Sequence, residues 1–415
     1  MKAIALFIAC IFTTVVLRAQ PAAISNISEE RARQHLQWLS ADSMRGRANG
    51  SYENWQVAEY IADLYQKSGL VPLPGFASFY HPFRLDESYN VPLPVLINWG
   101  GMEPKKQDVR WFGPFPLGRP DDAKNNIVIL HTDSAFHSNT LLRNWPGDGD
   151  IILWTEKRPK KKKHYFPSKF EMPIGGLKRN ILLLYADFAP ESVDLSYNPE
   201  YLSKVGHNVV GMLPGGGTDR IHLAIGAHYD HVGLSGKGDD MIMNGANDNA
   251  SGTTALLLLA EYFGRHPVPG KNLVFMAFAG EEIGLYGSIA LSKDPLLPPI
   301  NKMLNLEMLG IPQFGPKTVF ITGQGLSDFS RRLDRELTEA GLKIIQEPAE
   351  ERMLYKRSDN FSFVERGVPA HTVMASDDLD PCYHRPCDEA GRINIDNLTA
   401  IARAIAAAVR SMLGD

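Results

Sequence analysis

The stretch NLVFMAFAGEEIGLYGS, Asn272 to Ser288, decides the fold class. An apolar run, Leu273 to Phe278, leads within two residues into Glu281 and Glu282, and a helical run follows from Leu285 to Ser292. A short apolar run bounded by glycine reads as a strand buried on both faces, as in a parallel sheet covered by helices. Two adjacent carboxylates at its end repel each other unless a cation or a shared proton offsets their charge. The segment therefore names an architecture and the place in it where chemistry gathers.

The same texture extends on both sides. Strand-like runs at Asn208–Leu213, Ile221–Ala227, Lys302–Leu306, Val319–Thr322 and Ala370–Met374 alternate with helical runs at Ser251–Phe263, Ser327–Ala340 and Asp396–Leu413. This alternation predicts an α/β fold, a three-layer sandwich around a mixed, mostly parallel central sheet. Residues 27–70 read as helical, with Trp55, Ala58, Ile61, Ala62 and Tyr65 on one face, Ser51 as an N-cap and Gly69 as a stop. Residues 91–204 differ: glycine and proline are frequent, short strands are predicted at Asn126–Leu130, Ile151–Trp154 and Asn180–Tyr185, and a basic run, RPKKKKHY, spans Arg158 to Tyr165. They read as an inserted, β-rich accessory segment dividing one domain made of 21–90 and 205–415, with the lysine run a solvated loop.

Residues 1–20, MKAIALFIACIFTTVVLRAQ, read as a secretory signal peptide: Lys2 starts it, the run Ala3 to Leu17 carries no charge, and Ala19 or Gln20 ends it. The run falls short of the roughly 20 residues that span a bilayer, so no stable membrane span is expected after cleavage. The mature chain would be periplasmic or extracellular. Loss of Lys2 and Arg18 takes the net charge from -4 to -6, which gives no footprint for nucleic acid. Of three cysteines, Cys382 and Cys387 remain after cleavage. In an oxidising compartment they are candidates for a short-loop disulfide, with two free thiols as the alternative.

The chain has no GxSxG elbow, HExxH or P-loop, and Gly323-Gln324-Gly325 lacks the third glycine of a dinucleotide fingerprint. What remains are acids and histidines at predicted strand ends: His228 and Asp230 in IGAHYDHVG, Asp248 in NGANDNASG, Glu281 and Glu282, Glu307 in MLNLEMLG, and His384 in CYHRPCDEAG. Ligands of open α/β sheets gather beyond the carboxyl ends of the strands. Side chains two apart on a strand share a face, so Asp230 is placed to orient the imidazole of His228. His228, Asp248, Glu282, Glu307 and His384 offer two nitrogens and three carboxylates, too many acids for one tetrahedral zinc but suited to two zinc ions sharing a carboxylate.

The series AHYDHVG, GANDNASG, FAGEEIGLYGS, NLEMLG, SDNFSFVERGVPA and YHRPCD resembles the secreted zinc aminopeptidase and glutamate carboxypeptidase family, strongly over 205–415 and more weakly near 46–65. The resemblance implies a zinc metallopeptidase acting on peptides, with two zinc ions per chain. Asp248 would bridge both metals, with His228 and Glu307 completing one site and Glu282 and His384 the other. Glu281 would be the general base, moving a proton from the metal-bridging water to the leaving amine. Tyr355, three residues before Ser358, would hydrogen-bond the developing oxyanion. The Asp248–Asn249 peptide bond is often cis in such proteins, and some members insert a protease-associated domain where 91–204 lies. Two positions depart from the pattern: Glu307 stands where aspartate is commoner, and Asn360 where histidine is common. The leading function is aminopeptidase. Carboxypeptidase or dipeptidase, glutaminyl cyclase and a non-catalytic receptor-like protein are the alternatives.

Overall fold

The computed structural model describes residues 24–85, 95–98, 109–112, 128–131, 151–155, 181–185, 194–197, 199–216, 220–234, 238–348 and 352–414. The signal-peptide reading of 1–20 and the lysine run at 158–165 lie outside them. An 8-stranded sheet runs, edge to edge, through Tyr80–Arg84, Val205–Leu213, Leu273–Phe278, Leu223–His228, Met303–Glu307, Ala370–Met374, Thr318–Ile321 and Lys343–Ile345. Its four middle strands, from Leu273–Phe278 to Ala370–Met374, are parallel, and antiparallel pairings flank them on both sides.

Side-chain alternation divides the apolar runs between two cores. Along one strand Leu273, Phe275 and Ala277 join the larger core with Trp55, Leu257 and Ile405; Val274, Met276 and Phe278 join the smaller one with Leu291 and Phe363. Helices Glu29–Leu39, Tyr52–Lys67, Gly252–Arg265 and Ile395–Leu413 supply the first layer. Tyr286–Ser292 and Asn360–Val364 supply the other. Burial on both faces is why these strands show no polar alternation. The predicted three-layer α/β sandwich is the observed fold, and no described helix is long and apolar enough to cross a membrane.

The predicted helical region 27–70 is two helices joined by a turn at Asp42–Arg47. Ser51 caps the second, accepting from the Asn54 N–H at 3.1 Å. Strands predicted inside 91–204 occur at Val128–His131, Ile151–Thr155 and Ile181–Tyr185, and with Val109–Phe112 they form a separate 4-stranded sheet. Tyr201 and Leu202, at the end of that segment, pack in the larger core, so the main body resumes before 205.

Candidate metal centre

Each parallel strand of the middle delivers a donor just beyond its carboxyl end. Leu223–His228 ends on His228, and Met303–Glu307 ends on Glu307. Leu273–Phe278 is followed by Glu281 and Glu282 after Gly280, whose φ of 77° turns the chain in a conformation open to glycine. Ala370–Met374 leads to His384, itself at φ 52° between Cys382 and Cys387, which are disulfide-bonded. Asp248 arrives from the side, on the loop that opens helix Gly252–Arg265, and its peptide bond to Asn249 is cis.

Asp248 is the hub. Its Oδ1 lies 3.4 Å from His228 Nε2 and its Oδ2 lies 3.0 Å from His384 Nε2. His384 Nε2 is also 3.1 Å from Glu282 Oε2, and His228 Nε2 is 4.0 Å from Glu281 Oε2. His228, Glu281 and Glu307 form one group of converging donors; His231, Asp248, Glu282 and His384 form the other. His228 Nε2, His231 Nε2 and His384 Nε2 are buried without a hydrogen-bond partner. In His228 and His384 this is the nitrogen that faces the carboxylates, and two such nitrogens in a ring of carboxylates fit a divalent cation with nitrogen and oxygen ligands, zinc among them.

The electrostatics agree. Burial pushes the Glu281 carboxyl well above its ordinary range; His228 opposes the shift while Glu307, Asp359 and Glu282 reinforce it. Burial likewise lifts Glu307 to about 7 against the pull of His228. Burial opposes charge on His384, yet Asp248 and Glu282 raise it to about 10. Asp248 goes the other way: against its burial, His228 and His384 draw it down. A cluster that lifts Glu281 and Glu307 and holds His384 charged is short of positive charge, which metal cations would supply.

A second layer holds the donors by their backbone. Asp230 takes the N–H groups of Glu281 and Glu282 at 3.4 and 3.3 Å and the side-chain amide of Asn49 at 2.6 Å. Its carboxylate stands 3.7 Å from His228 Nδ1, farther than its own carbonyl oxygen at 3.2 Å. The strand stops at His228, so the face-sharing rule does not reach Asp230, and its carboxylate braces the Glu281–Glu282 turn more closely than the imidazole. Asp388 repeats the device, accepting from the N–H of Asn247 at 2.9 Å and of Asp248 at 3.1 Å. Asn247 and Asn249 tie the Asp248 loop to neighbouring strand ends: Asn247 receives Gly310 N–H at 3.0 Å, and Asn249 donates to the Leu306 carbonyl at 3.0 Å. Ser358 donates a short hydrogen bond to Glu307 and receives one from Asn305 at 2.8 Å. Beneath the site, buried Arg47 donates to the carbonyls of Leu39, Tyr229, Asn244 and Gly245.

The cleft over the donors is lined by Asp248, Glu281 and Glu307 together with Met308, Leu354, Met374 and Tyr383. Tyr355 is not among its lining residues. It sits in a three-residue turn after Met353, which has φ 53°, and this turn gives Leu354 to the cleft while the Tyr355 ring stacks on His371 at 5.5 Å and packs on Gly323. Tyr383 stacks on His384 at 3.9 Å instead. Burial and the surrounding carboxylates push its phenol far up, so it keeps its proton as a donor. His231, Asp388 and Tyr383 all lie inside the motifs that carry the other donors; their adjacency in sequence to His228 and His384 is the signal that marks them.

Residues 208–409 match the sequence profile of peptidase family M28. Aminopeptidase YwaD of Bacillus subtilis (strain 168) is 28% identical over 304 residues, 69% of this chain and 62% of that protein, so the chain spans less than two thirds of its relative. A zinc aminopeptidase structure from Bacillus subtilis superposes with a TM-score of 0.54 at 18% identity, covering 93% of this chain and 95% of that one. A Bacteroides thetaiotaomicron glutaminyl cyclase gives 0.52 at 12% identity, covering 92% and 98%. At such identities these likenesses concern the fold.

Proposed function

We propose, from the match of residues 208–409 to peptidase family M28, that the chain is a zinc-dependent aminopeptidase that removes residues from the free N-terminus of peptides. The observation that carries the reading is the division of Asp248, with one oxygen toward His228 and the other toward His384. Asp248 would be shared by two zinc ions, one held with His228 and Glu307, the other with Glu282 and His384. Zinc bound there supplies Lewis acidity and lowers the pKa of water.

Glu281 stands next to these donors and reaches the cleft, and its backbone N–H is held by Asp230. It would take a proton from the water as the new C–O bond forms and then give that proton to the amide nitrogen, so that the C–N bond breaks and the amine leaves. Tyr383, held protonated beside His384, is positioned to donate to the carbonyl oxygen as it gains charge.

Residues 1–20 would export the chain, and the Cys382–Cys387 bond suits an oxidising compartment. Residues between 85 and 199 would form the accessory insertion. The test is a digest of peptides with free and acetylated N-termini, followed by mass spectrometry. Stepwise loss of N-terminal residues from the free peptides alone is expected. Trimming from the C-terminus, or loss of ammonia from N-terminal glutamine without hydrolysis, would overturn the aminopeptidase reading.

A further inference from the structure

His231, three residues past His228, has no part in the ligand set above, and its ring is 1% exposed beside that set. Its Nδ1 lies 2.7 Å from Glu282 Oε1 and 3.9 Å from Asp248 Oδ2. Glu282 Oε2, the other oxygen, is the one 3.1 Å from His384 Nε2. Ligands at about 2.0–2.1 Å around one tetrahedral zinc lie roughly 3.3 Å apart. The His384–Glu282, His384–Asp248 and His228–Asp248 separations of 3.1, 3.0 and 3.4 Å have that spacing. The 2.7 Å separation of His231 from Glu282 is instead that of a charge-assisted hydrogen bond.

We infer that His231 is a positioning residue: its Nδ1–H holds Glu282 Oε1 and so commits Oε2 to the ion shared with Asp248 and His384. The inference rests on the reading that this trio binds zinc. The ring cannot turn away. A Cβ on Gly245 would fall 2.4 Å from its Cδ2, so the chain presses on one side, and the His384 ring stands edge-on at 5.4 Å. Gly245 in turn is fixed through its carbonyl by Arg47 at 2.8 Å. Nε2 of His231 has no partner, which assigns the proton to Nδ1, where an acceptor waits. Without the hydrogen bond, Glu282 is free to rotate or to turn both oxygens toward one ion.

The experiment titrates full-length metal-free protein with Zn2+ against a chelating dye, and records the visible spectrum of the Co2+ form. His231→Leu is expected to bind one of its two ions 10–100-fold more weakly, with stoichiometry and the Co2+ band intensity kept. His231→Asn, whose amide reaches the place of Nδ1, restores affinity; His231→Gln, whose amide reaches the place of Nε2, does not. If His231→Leu folds poorly, the Asn and Gln pair still decides. Equal affinity in wild type and His231→Leu, or equal affinity in Asn and Gln, overturns the role. A lost ion or a changed Co2+ coordination number also overturns it, making His231 a ligand. Wild-type protein that binds no zinc defeats the underlying reading as well, whereas two ions with no effect of His231→Leu defeats this inference alone.

Discussion

The backbone N–H of Asp248 donates to Asp388 Oδ2 at 3.1 Å, so the loop that carries the central carboxylate is held by the residue just past the Cys382–Cys387 bond. Burial raises the Asp388 carboxyl to about 6, and the N–H groups of Asp248 and Asn247 oppose that rise. Asp388→Ala leaves both N–H groups buried without an acceptor. Zinc affinity is expected to fall about 10–100-fold, with a smaller loss in Asp388→Asn. Chelator competition measures both.

Glu281→Gln keeps the size and shape of the side chain and removes its basicity. Hydrolysis of an aminoacyl chromogenic amide is expected to drop at least about 10²–10⁴-fold while zinc content stays at the wild-type level. Turnover near wild type would remove Glu281 from the proton path.

Much of the fold and of the site is legible in the amino-acid sequence. The middle strands stand out because both faces are buried, and His228, Asp248, Glu282, Glu307 and His384 because acids and histidines are costly at such positions without a purpose. Strand Tyr80–Arg84 is hidden because Pro82 reads as a breaker, yet it sits on the sheet edge, where a missing N–H is harmless. Asn247 and Asn249 act on backbone groups of Gly310 and Leu306 brought near only by the folded chain, and no spacing rule encodes that. Tyr355 misses the cleft because one left-handed residue, Met353, rotates the turn that follows it.

Arg47 answers to carbonyls rather than to a paired carboxylate, and burial lowers it to about 10 even with Asp248, Asp388, Asp230 and Glu282 nearby. Arg47→Met is expected to destabilise the fold by several kcal/mol, since each carbonyl left unsatisfied costs about 1–3 kcal/mol. Urea unfolding at pH 7 provides the number.

His207 is buried among Trp55, Tyr80 and Tyr201, and burial, helped by nearby His81, pushes it down to about 3. The unfolded chain takes up a proton near 6.5 that the folded chain refuses until about 3. Its contribution to stability is therefore complete above pH 6.5 and declines as pH falls toward 3. Unfolding midpoints at pH 7 and 4.5 should differ less in His207→Phe than in wild type.

Reduction of Cys382–Cys387 opens the loop around His384. A loop this short contributes about 2 kcal/mol at most through chain entropy, so the protein should stay folded under reductant. The expected change is weaker zinc binding, read by the same dye titration with and without a phosphine reductant. Unchanged affinity would mean that stacking on Tyr383 alone fixes His384.

Arg84 and Val205 are direct register partners in adjacent antiparallel strands, and the N–H of Leu85 donates to the Lys204 carbonyl at 2.9 Å. In the sheet these two strands are neighbours, so the chain from 85 to 204 is one connection between them. Closing such a connection costs about 0.6 kcal/mol for each doubling of its length. The pairing of the two strands thus depends only weakly on the length of that connection. A connection at this point can lengthen or shorten at small cost in closure, and it opens beside the site: a Cβ on Gly280, next to Glu281, would fall 3.2 Å from the ring of Phe83.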